Sequence, residues 1–249
     1  MENRKRIPLR PETIDPHQCS VDVRLRILGR VPFFGGLSAE ELAGVNRLFR
    51  EHGYAPGQAI CYAGDKATHL FVVANGKVKL MRQTADGQEV LLDILVRGDF
   101  FGSLSALGDA TYPDTAQAQT RCCVLAISAA DFQAVLRRHP AVALATLDIL
   151  AGRLRSAHTT IGRLSAYPVE SRLAATLLKL AEQLGEPRGN EILIQMPLSR
   201  QDLAAMTGTT TETVSRLISQ FRAQGLVHTG RQWVALTNPA GLAALAPED

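Results

Sequence analysis

Residues 198–221 read LSRQDLAAMTG and then TTTETVSRLISQF, and this stretch decides the fold of the C-terminal part of the chain. Ser199 is placed to cap a first helix, because its side-chain oxygen can accept from the amide groups that begin a helix. Gly208 supplies a tight turn, since glycine adopts backbone conformations that other residues avoid. Thr210 or Thr211 then caps a second helix. The stretch predicts a helix-turn-helix rather than an ordinary helical hairpin.

The apolar residues of this stretch recur at helical spacing and give each helix an inner face. They are Leu203, Ala204 and Met206 on the first helix, and Val214, Leu217, Ile218 and Phe221 on the second. Four residues remain on the outer face of the second helix, where a recognition helix contacts base edges: Thr211, Glu212, Ser215 and Arg216. Glutamate accepts from cytosine N4, and arginine bonds guanine O6 and N7. Four others are better placed for phosphates: Arg200, Thr210, Ser219 and Arg222.

The segments on either side of the helix-turn-helix complete a domain. Val169 to Leu184 has the pattern of an amphipathic helix, and EILIQ at 191–195 has that of a strand. After the second helix, GLVHTGRQWVAL at 225–236 predicts two short strands around a turn that contains glycine. A β-wing at this place would make the motif a winged helix-turn-helix.

A long helix precedes this domain and carries a narrow apolar seam. The seam residues advance by 3, 4, 3, 4 and 3 positions: Leu147, Leu150, Leu154, Ala157, Ile161 and Leu164. This is the heptad spacing of helices that pack in parallel. Such a seam packs against its own domain or against a second copy of itself, and we expect a dimer. Tyr167-Pro168 ends the helix, because proline removes a backbone donor, and is interpreted as the domain hinge.

The sequence from about residue 52 to 133 has the pattern of short strands. β-rich runs occur at LFVV (70–73), KVKLM (77–81), VLLDIL (90–95) and CVLAI (123–127). Turn signals separate them at Gly64-Asp65, Asn75-Gly76, Asp86-Gly87 and Gly98-Asp99. This pattern predicts an antiparallel barrel or jelly roll. Ahead of it, Ser38 and Glu41 form a capping-box pattern that opens a short helix through about Phe49.

Composition sets limits on the class of protein. The 249 residues allow two domains, and the net charge of +3 permits a nucleic-acid partner without requiring one. No stretch approaches the length of a membrane helix, and no apolar core follows the basic start, so a cytoplasmic location is expected. The four cysteines show no zinc-ligand spacing and are expected to be reduced thiols. No motif of a catalytic site is present, and we expect no enzyme.

The whole arrangement resembles the cAMP receptor protein/FNR (Crp/Fnr) family of bacterial transcription regulators over roughly residues 30–245. The most specific piece is TETVSR at 211–216. Its Glu-x-x-Ser-Arg spacing resembles the FNR branch, whereas the cAMP receptor branch typically has glycine where Ser215 stands. The resemblance implies that Glu212, Ser215 and Arg216 read bases. It also implies a twofold dimer on a palindrome of the TTGAT-N4-ATCAA type, with RNA polymerase as a further partner.

The resemblance and the patterns together predict an α+β chain with four parts. These are an N-terminal arm at 1–29, a cyclic-nucleotide-binding-like β-roll sensor at 30–138, a dimerisation helix at 139–167 and a winged helix-turn-helix DNA-binding domain at 168–249. An alternative of another class is a β-roll module that binds a ligand and regulates a protein partner. That alternative leaves the helix-turn-helix and the wing unexplained.

The sensor departs from the cAMP-binding pattern at three places. Members that bind cAMP have Gly-Asp-x-x-Gly-Glu-Leu, whereas GDFFGSL at 98–104 has Ser103 in place of the glutamate. Tyr112 and Pro113 stand where an Arg-Ser pair contacts the phosphate. Ala157 and His158 stand where the long helix offers a Thr-Ser pair to the adenine. An anionic ligand that lacks its arginine loses about 1.5–3 kcal/mol, so cAMP is not expected as the effector.

The signal that the sensor detects is left open by the sequence. A [4Fe–4S] cluster is not expected, because only Cys19 lies in the N-terminal region and Leu125 replaces the β-roll cysteine. Haem is one hypothesis, with His17, Cys19 or His158 as an axial ligand. Oxidation of a thiol is a second, at Cys19, Cys61, Cys122 or Cys123, although neighbours on a strand point to opposite faces and disfavour a Cys122–Cys123 bond. An unidentified small ligand, or no ligand, is the remaining alternative.

Overall fold

The computed structural model describes residues 20–83, 89–102, 111–196, 199–230 and 233–246. Several positions from the sequence analysis lie outside the described residues: His17, Cys19, Ser103 and the Asp86-Gly87 turn. The chain forms two compact units, which divide between Ala157 and His158, inside one long helix.

The first unit begins with helices and continues as a β-rich domain. Helix α1 (Val21–Leu28) and helix α2 (Ala39–Asn46) flank a 3-10 turn at Pro32–Phe34. The strands that follow are β1 (Arg50–Tyr54), β2 (Ala59–Cys61), β3 (His69–Asn75), β4 (Val78–Gln83), β5 (Glu89–Leu95), β6 (Phe100–Gly102), β7 (Thr115–Ala118) and β8 (Cys122–Ser128). Helix α3 (Ala129–Arg138) comes next, and the long helix α4 (Pro140–Ala166) leads out of the unit.

The strands form two antiparallel sheets, in the orders β1-β8-β3-β6 and β2-β7-β4-β5. Within each sheet, most neighbouring strands come from distant parts of the sequence, as in a jelly roll. The predicted jelly-roll class is therefore confirmed. The predicted turn at Asn75-Gly76 is present, with a φ of 82° at Gly76. A Cβ at this glycine would collide with the carbonyl oxygen of Arg121, so glycine is required there.

Two apolar cores fill the first unit, one between the two sheets and one between the first sheet and the helices. The side chains of β8 alternate between these cores. Cys122 and Val124 belong to the core between the sheets, whereas Cys123 and Leu125 face the helices. The adjacent cysteines thus point in opposite directions, as the alternation of strand side chains predicts.

Helix α1 lies in the segment that the sequence analysis assigned to the N-terminal arm. Ile27 and Leu28 are buried in the core on the helix side of the first sheet. The Arg24 guanidinium donates to the carbonyl oxygens of Asn46, at 2.9 Å, and Phe49, at 2.8 Å. These bonds tie α1 to the chain that leaves α2. Residues 21–28 are therefore part of the folded unit, a role that their mixed charged and apolar sequence does not reveal.

Helix α4 has two distinct faces in its first turns. Val142 and Thr146 are buried, and Ile149 packs against the same core. The six seam residues are exposed, and the larger ones keep between 40% and 61% of their surface open: Leu147, Leu150, Leu154, Ala157, Ile161 and Leu164. The helix ends at Ala166, directly before Tyr167-Pro168, as predicted. It carries an apolar stripe that stays exposed in the described chain.

The second unit begins with the last turns of α4, earlier than the boundary at Tyr167-Pro168 that the sequence suggested. Its further elements are α5 (Val169–Leu184), β9 (Gly185–Arg188), β10 (Glu191–Gln195), α6 (Arg200–Thr207), α7 (Thr211–Ala223), β11 (Val227–Gly230), β12 (Trp233–Leu236) and α8 (Pro239–Leu245). The strands form one antiparallel sheet, in the order β11-β12-β10-β9. Helix α5 packs against α6, α8 and β10, and its buried residues form the centre of this unit.

Candidate functional site

Helices α6 and α7 form the predicted helix-turn-helix, and their caps are those expected. The Ser199 hydroxyl accepts from the amide of Asp202 at 3.0 Å, and the Asp202 carboxylate accepts from the amide of Ser199 at 2.8 Å. This reciprocal pair is a capping box. At the start of α7, Thr210 rather than Thr211 is the cap, and its hydroxyl accepts from the amide of Thr213 at 3.2 Å.

The turn between the two helices depends on Gly208. Its backbone is left-handed, with φ 61° and ψ 48°, and it ends α6 by donating to the carbonyl oxygens near the end of that helix. A Cβ at Gly208 would lie 3.0 Å from Cδ2 of Leu164, a residue of α4. Glycine is therefore favoured twice here, by its conformational freedom and by a close neighbour.

The inner face of α7 is buried as predicted, at Val214, Leu217, Ile218 and Phe221. The opposite face is exposed and carries the predicted base readers: Thr211, Glu212, Ser215 and Arg216. On α6, Leu203 and Ala204 are buried, whereas Met206 is only partly covered. The burial of one face of α7 fixes which side chains can reach a groove of DNA.

Serine hydroxyl groups on the exposed face of α7 have defined orientations. The Ser215 hydroxyl donates to the carbonyl oxygen of Thr211 at 2.8 Å, and the Ser219 hydroxyl donates to that of Ser215 at 2.9 Å. Because each hydrogen is used within the helix, the hydroxyl oxygens present acceptor lone pairs to the outside. Ser215 in this state suits a base that donates, such as the amino group of adenine or cytosine.

A positively charged pair lies beside the recognition helix. Arg200 opens α6 and Arg222 lies in the last turn of α7, and the two interact electrostatically. Burial, followed by repulsion from Arg222, lowers the pKa of Arg200. Two cations held near each other favour the approach of a phosphate group. The phosphate role of both residues stays a prediction.

The strands after α7 form the predicted wing. β11 and β12 are antiparallel, and Gly230 pairs with Trp233 at the tip. Residues 231 and 232, between the strands, lie outside the described residues. β12 continues the sheet through β10, so the wing is anchored to the centre of the second unit.

Comparison with known proteins agrees with this architecture. The cyclic nucleotide-binding domain matches residues 51–139, and the Crp-like helix-turn-helix domain matches residues 171–245. The cyclic AMP receptor protein of Thermus thermophilus is 36% identical over 215 residues, which are 86% of this chain and 96% of that protein. This chain belongs to the Crp/Fnr family of transcription regulators.

Other members of the Crp/Fnr family also match this chain over most of its length. A CRP-like cAMP-activated global transcriptional regulator of Mycobacterium tuberculosis is 26% identical over 220 residues, covering 88% of this chain and 98% of that protein. Among solved structures, FixK2 from Bradyrhizobium japonicum has a TM-score of 0.72 at 25% identity, covering 81% of this chain and 98% of that one. The DNA-binding role of the helix-turn-helix follows from membership of the family.

The first unit is the domain that corresponds to the family's cyclic nucleotide site, and residues 103–110 of the segment expected to hold the phosphate lie outside the described residues. Tyr112, where a phosphate-binding arginine is expected, is buried between the sheets. Its hydroxyl accepts from the amide of His69 at 3.0 Å, and its ring lies 6.2 Å from that of Phe71. Two residues later, Asp114 is bound by Arg82 at 2.7 Å. The described part of this segment contributes a phenol and a carboxylate that is paired with Arg82.

The described candidates for a haem or thiol sensor are scattered. His158 is exposed on α4, and Cys61, Cys122 and Cys123 are buried in the first unit. Burial raises the pKa of the Cys61 thiol to about 11, so it is protonated at neutral pH. Within the described ranges, no group of three or more His, Cys, Asp or Glu side chains is placed to hold a metal ion. None of the described helices has the length and apolar character that a membrane span requires.

A contact between α4 and the sensor was not anticipated from the sequence. Arg153 of α4 donates to the carbonyl oxygen of Phe100 at 2.9 Å, and its guanidinium lies 4.1 Å from the Phe100 ring centroid. Desolvation lowers the pKa of Arg153, although the nearby carboxylates of Asp93 and Asp99 oppose the shift. Burial raises the pKa of Asp99, whose carboxylate accepts from the amide of Val96 at 2.8 Å.

Proposed function

We propose that the chain is a sequence-specific regulator that binds a TTGAT-N4-ATCAA-like palindrome as a homodimer. The observation that carries this proposal is the position of Glu212, Ser215 and Arg216 on the exposed face of α7, whose other face is buried. Their spacing matches the FNR type of recognition helix. RNA polymerase is the protein partner that the family resemblance suggests.

The dimer is proposed on the exposed stripe of α4. The exposed apolar stripe of α4 is unfavourable in a monomer, because it exposes leucine and isoleucine side chains to water. Heptad spacing selects a second helix of the same kind as the partner. A second copy of this chain supplies such a helix and brings two recognition helices into a twofold arrangement, which a palindrome requires.

The experiment compares wild type with Arg216→Ala in binding to the palindrome and to a scrambled duplex at one stated salt concentration. An arginine bound to guanine contributes about 1–3 kcal/mol of discrimination, so Arg216→Ala should lose about 5- to 150-fold in affinity for the palindrome. Weak binding to scrambled DNA should persist, because phosphate contacts supply it.

Arg188→Ala is the matched control, since Arg188 is an exposed arginine on β9 of the same unit. It removes the same charge and should leave the ratio of palindrome to scrambled binding unchanged. Equal binding of wild type to both duplexes would refute the proposed site. An equal loss in both arginine variants would show that Arg216 acts only through its charge.

We also propose that cyclic AMP is not the effector. The support is the buried phenol of Tyr112 where the phosphate-binding arginine is expected, together with Ala157 and His158 in place of the hydroxyl pair. Any ligand that binds the native state raises the Tm of unfolding. Excess cyclic AMP should therefore leave the Tm unchanged, and a rise would refute this proposal.

The sensor is proposed to respond to a colourless small ligand or to act without one. Thiol oxidation is disfavoured at the described cysteines, because they are buried and the pKa of Cys61 is raised. An absorbance spectrum of freshly purified protein separates the alternatives. A haem Soret band or an iron–sulfur charge-transfer band would refute the proposal, whereas a featureless visible spectrum is the expected result.

A further inference from the structure

The corner between α4 and α5 is held by contacts that the sequence analysis did not identify. Helix α4 ends at Ala166, so the carbonyl oxygens of its last turn have no partner within the helix. The Arg172 guanidinium, from the first turns of α5, donates to one of them, the carbonyl oxygen of Leu164, at 2.7 Å. A positive charge at the C-terminal end of a helix is also favoured by the helix dipole. Arg172 therefore caps α4 from the neighbouring helix.

The Arg172 cap leaves one buried hydrogen-bond donor unsatisfied. The Nε of Arg172 is buried and has no hydrogen-bond partner among the described residues. An unsatisfied buried donor is unfavourable, so a side chain chosen only for stability would avoid it. Proline at 168 already ends α4, which makes the helix break itself independent of Arg172. The guanidinium thus adds something other than the termination of α4, namely a link between α5 and the last turn of α4.

Two further contacts connect the same corner to the helix-turn-helix. Leu164, the last seam residue, lies against the turn at Gly208, where an added Cβ would be 3.0 Å from its Cδ2. Glu170, two residues before Arg172, accepts from the side-chain amide of Gln220 on α7 at 2.8 Å. The end of α4, the first turn of α5 and the recognition helix are therefore connected through contacts of the Arg172, Leu164 and Glu170 side chains, all within the second unit.

We propose that Arg172 is a positioning residue that sets how far apart the dimer holds its two recognition helices, and so which spacer between half-sites it accepts. The inference rests on the proposed function. In that dimer, Ile161 and Leu164 pack against the second copy, and the corner fixes each recognition helix relative to this seam. Successive base pairs move a half-site along and around the duplex, so a fixed corner accepts one spacer length.

The test is selection of DNA from a random duplex library by the full chain, followed by reading both the half-site and the spacer. Wild type is expected to enrich one palindrome with a single spacer. Arg172→Ala should enrich the same half-site with several spacers. The ratio of the preferred spacer to one that is a base pair longer should fall about tenfold, equivalent to about 1.4 kcal/mol. Arg172→Lys keeps the charge and one donor, and should give an intermediate ratio.

A merely structural role would lower binding to every spacer equally and leave this ratio unchanged. Arg188→Ala is the charge-matched control and should keep the single spacer. If Arg172→Ala does not fold, Arg172→Lys and Glu170→Ala decide the question, and retention of the single spacer by both overturns the proposal.

The outcomes separate this inference from the function on which it rests. If wild type enriches a palindrome with a single spacer and Arg172→Ala enriches the same spacer, the positioning role alone is overturned. A wild-type palindrome with a half-site other than TTGAT corrects the proposed site and still decides the spacer question. Enrichment of no palindrome by wild type overturns both.

Discussion

Replacing Gly208 by alanine tests the turn of the helix-turn-helix. The residue has φ 61° and ψ 48°, and a left-handed backbone costs an L-residue about 1–2 kcal/mol. The new methyl group would also lie 3.0 Å from Cδ2 of Leu164, so that leucine must shift. The reduced entropy of the unfolded chain returns about 0.4–1 kcal/mol. The two backbone terms leave a loss of about 0–1.6 kcal/mol, and the displacement of Leu164 adds to it, so we expect a net loss of about 1–2 kcal/mol in the free energy of unfolding of the second unit.

The chain provides its own probe for this measurement. Its single tryptophan is Trp233, on β12 of the second unit, so tryptophan fluorescence during urea unfolding reports this unit. With a slope of about 1.5 kcal/mol per molar urea, the midpoint should fall by roughly 1 M. Binding to the palindrome should weaken too, because the turn places α7 relative to α6.

Gly225→Ala is the matched control for strain alone. Gly225 has a φ of 70°, and a Cβ there would meet nothing within 4 Å. Its substitution should lower the midpoint, but by less than Gly208→Ala. An unchanged or raised urea midpoint for Gly208→Ala would refute the claim that the turn requires glycine at this position. A larger fall for Gly225→Ala would show that the Leu164 contact adds nothing.

Two further predictions concern the dimer and the sensor. Leu154→Asp places a charge in the exposed stripe of α4 and should convert a dimer to a monomer in sedimentation. Arg155→Asp, on a neighbouring exposed position, should remain a dimer. If Leu154→Asp also remains a dimer, the proposal that the stripe forms the dimer interface is contradicted. Burial raises the pKa of Cys61 to about 11 from 9.0. At pH 8, Cys61 should therefore be alkylated about 100-fold more slowly in the folded chain than in the urea-unfolded chain, as measured by peptide mapping. Because the folded pKa lies above the unfolded one, the neutral thiol stabilises the fold below about pH 9, and this contribution is lost as the pH rises through about 11. Equal alkylation rates in the two states would contradict the burial of Cys61.

The sequence by itself determined the local elements that carry strong signals. Ser199, Gly208 and the apolar spacing of α7 are local features, because caps, turns and helical periodicity depend on residues a few positions apart. They were sufficient to predict the helix-turn-helix and which side of α7 is exposed. The alternation of strand side chains likewise placed Cys122 and Cys123 on opposite faces before the sheets were known.

Tertiary structure decided the features that join distant parts of the chain. Ile27 and Leu28 are core residues of a helix that Arg24 ties to carbonyl oxygens more than twenty positions away, which no local pattern records. The hydrogen bond of Arg172 also depends on the folded chain, because the turn at Pro168 brings its donor on α5 to an acceptor on α4. Local propensity acts over one or two helical turns, whereas such caps and cores require the folded chain to supply the partner. The residues proposed to read DNA were therefore accessible from the sequence, and the corner proposed to position them was not.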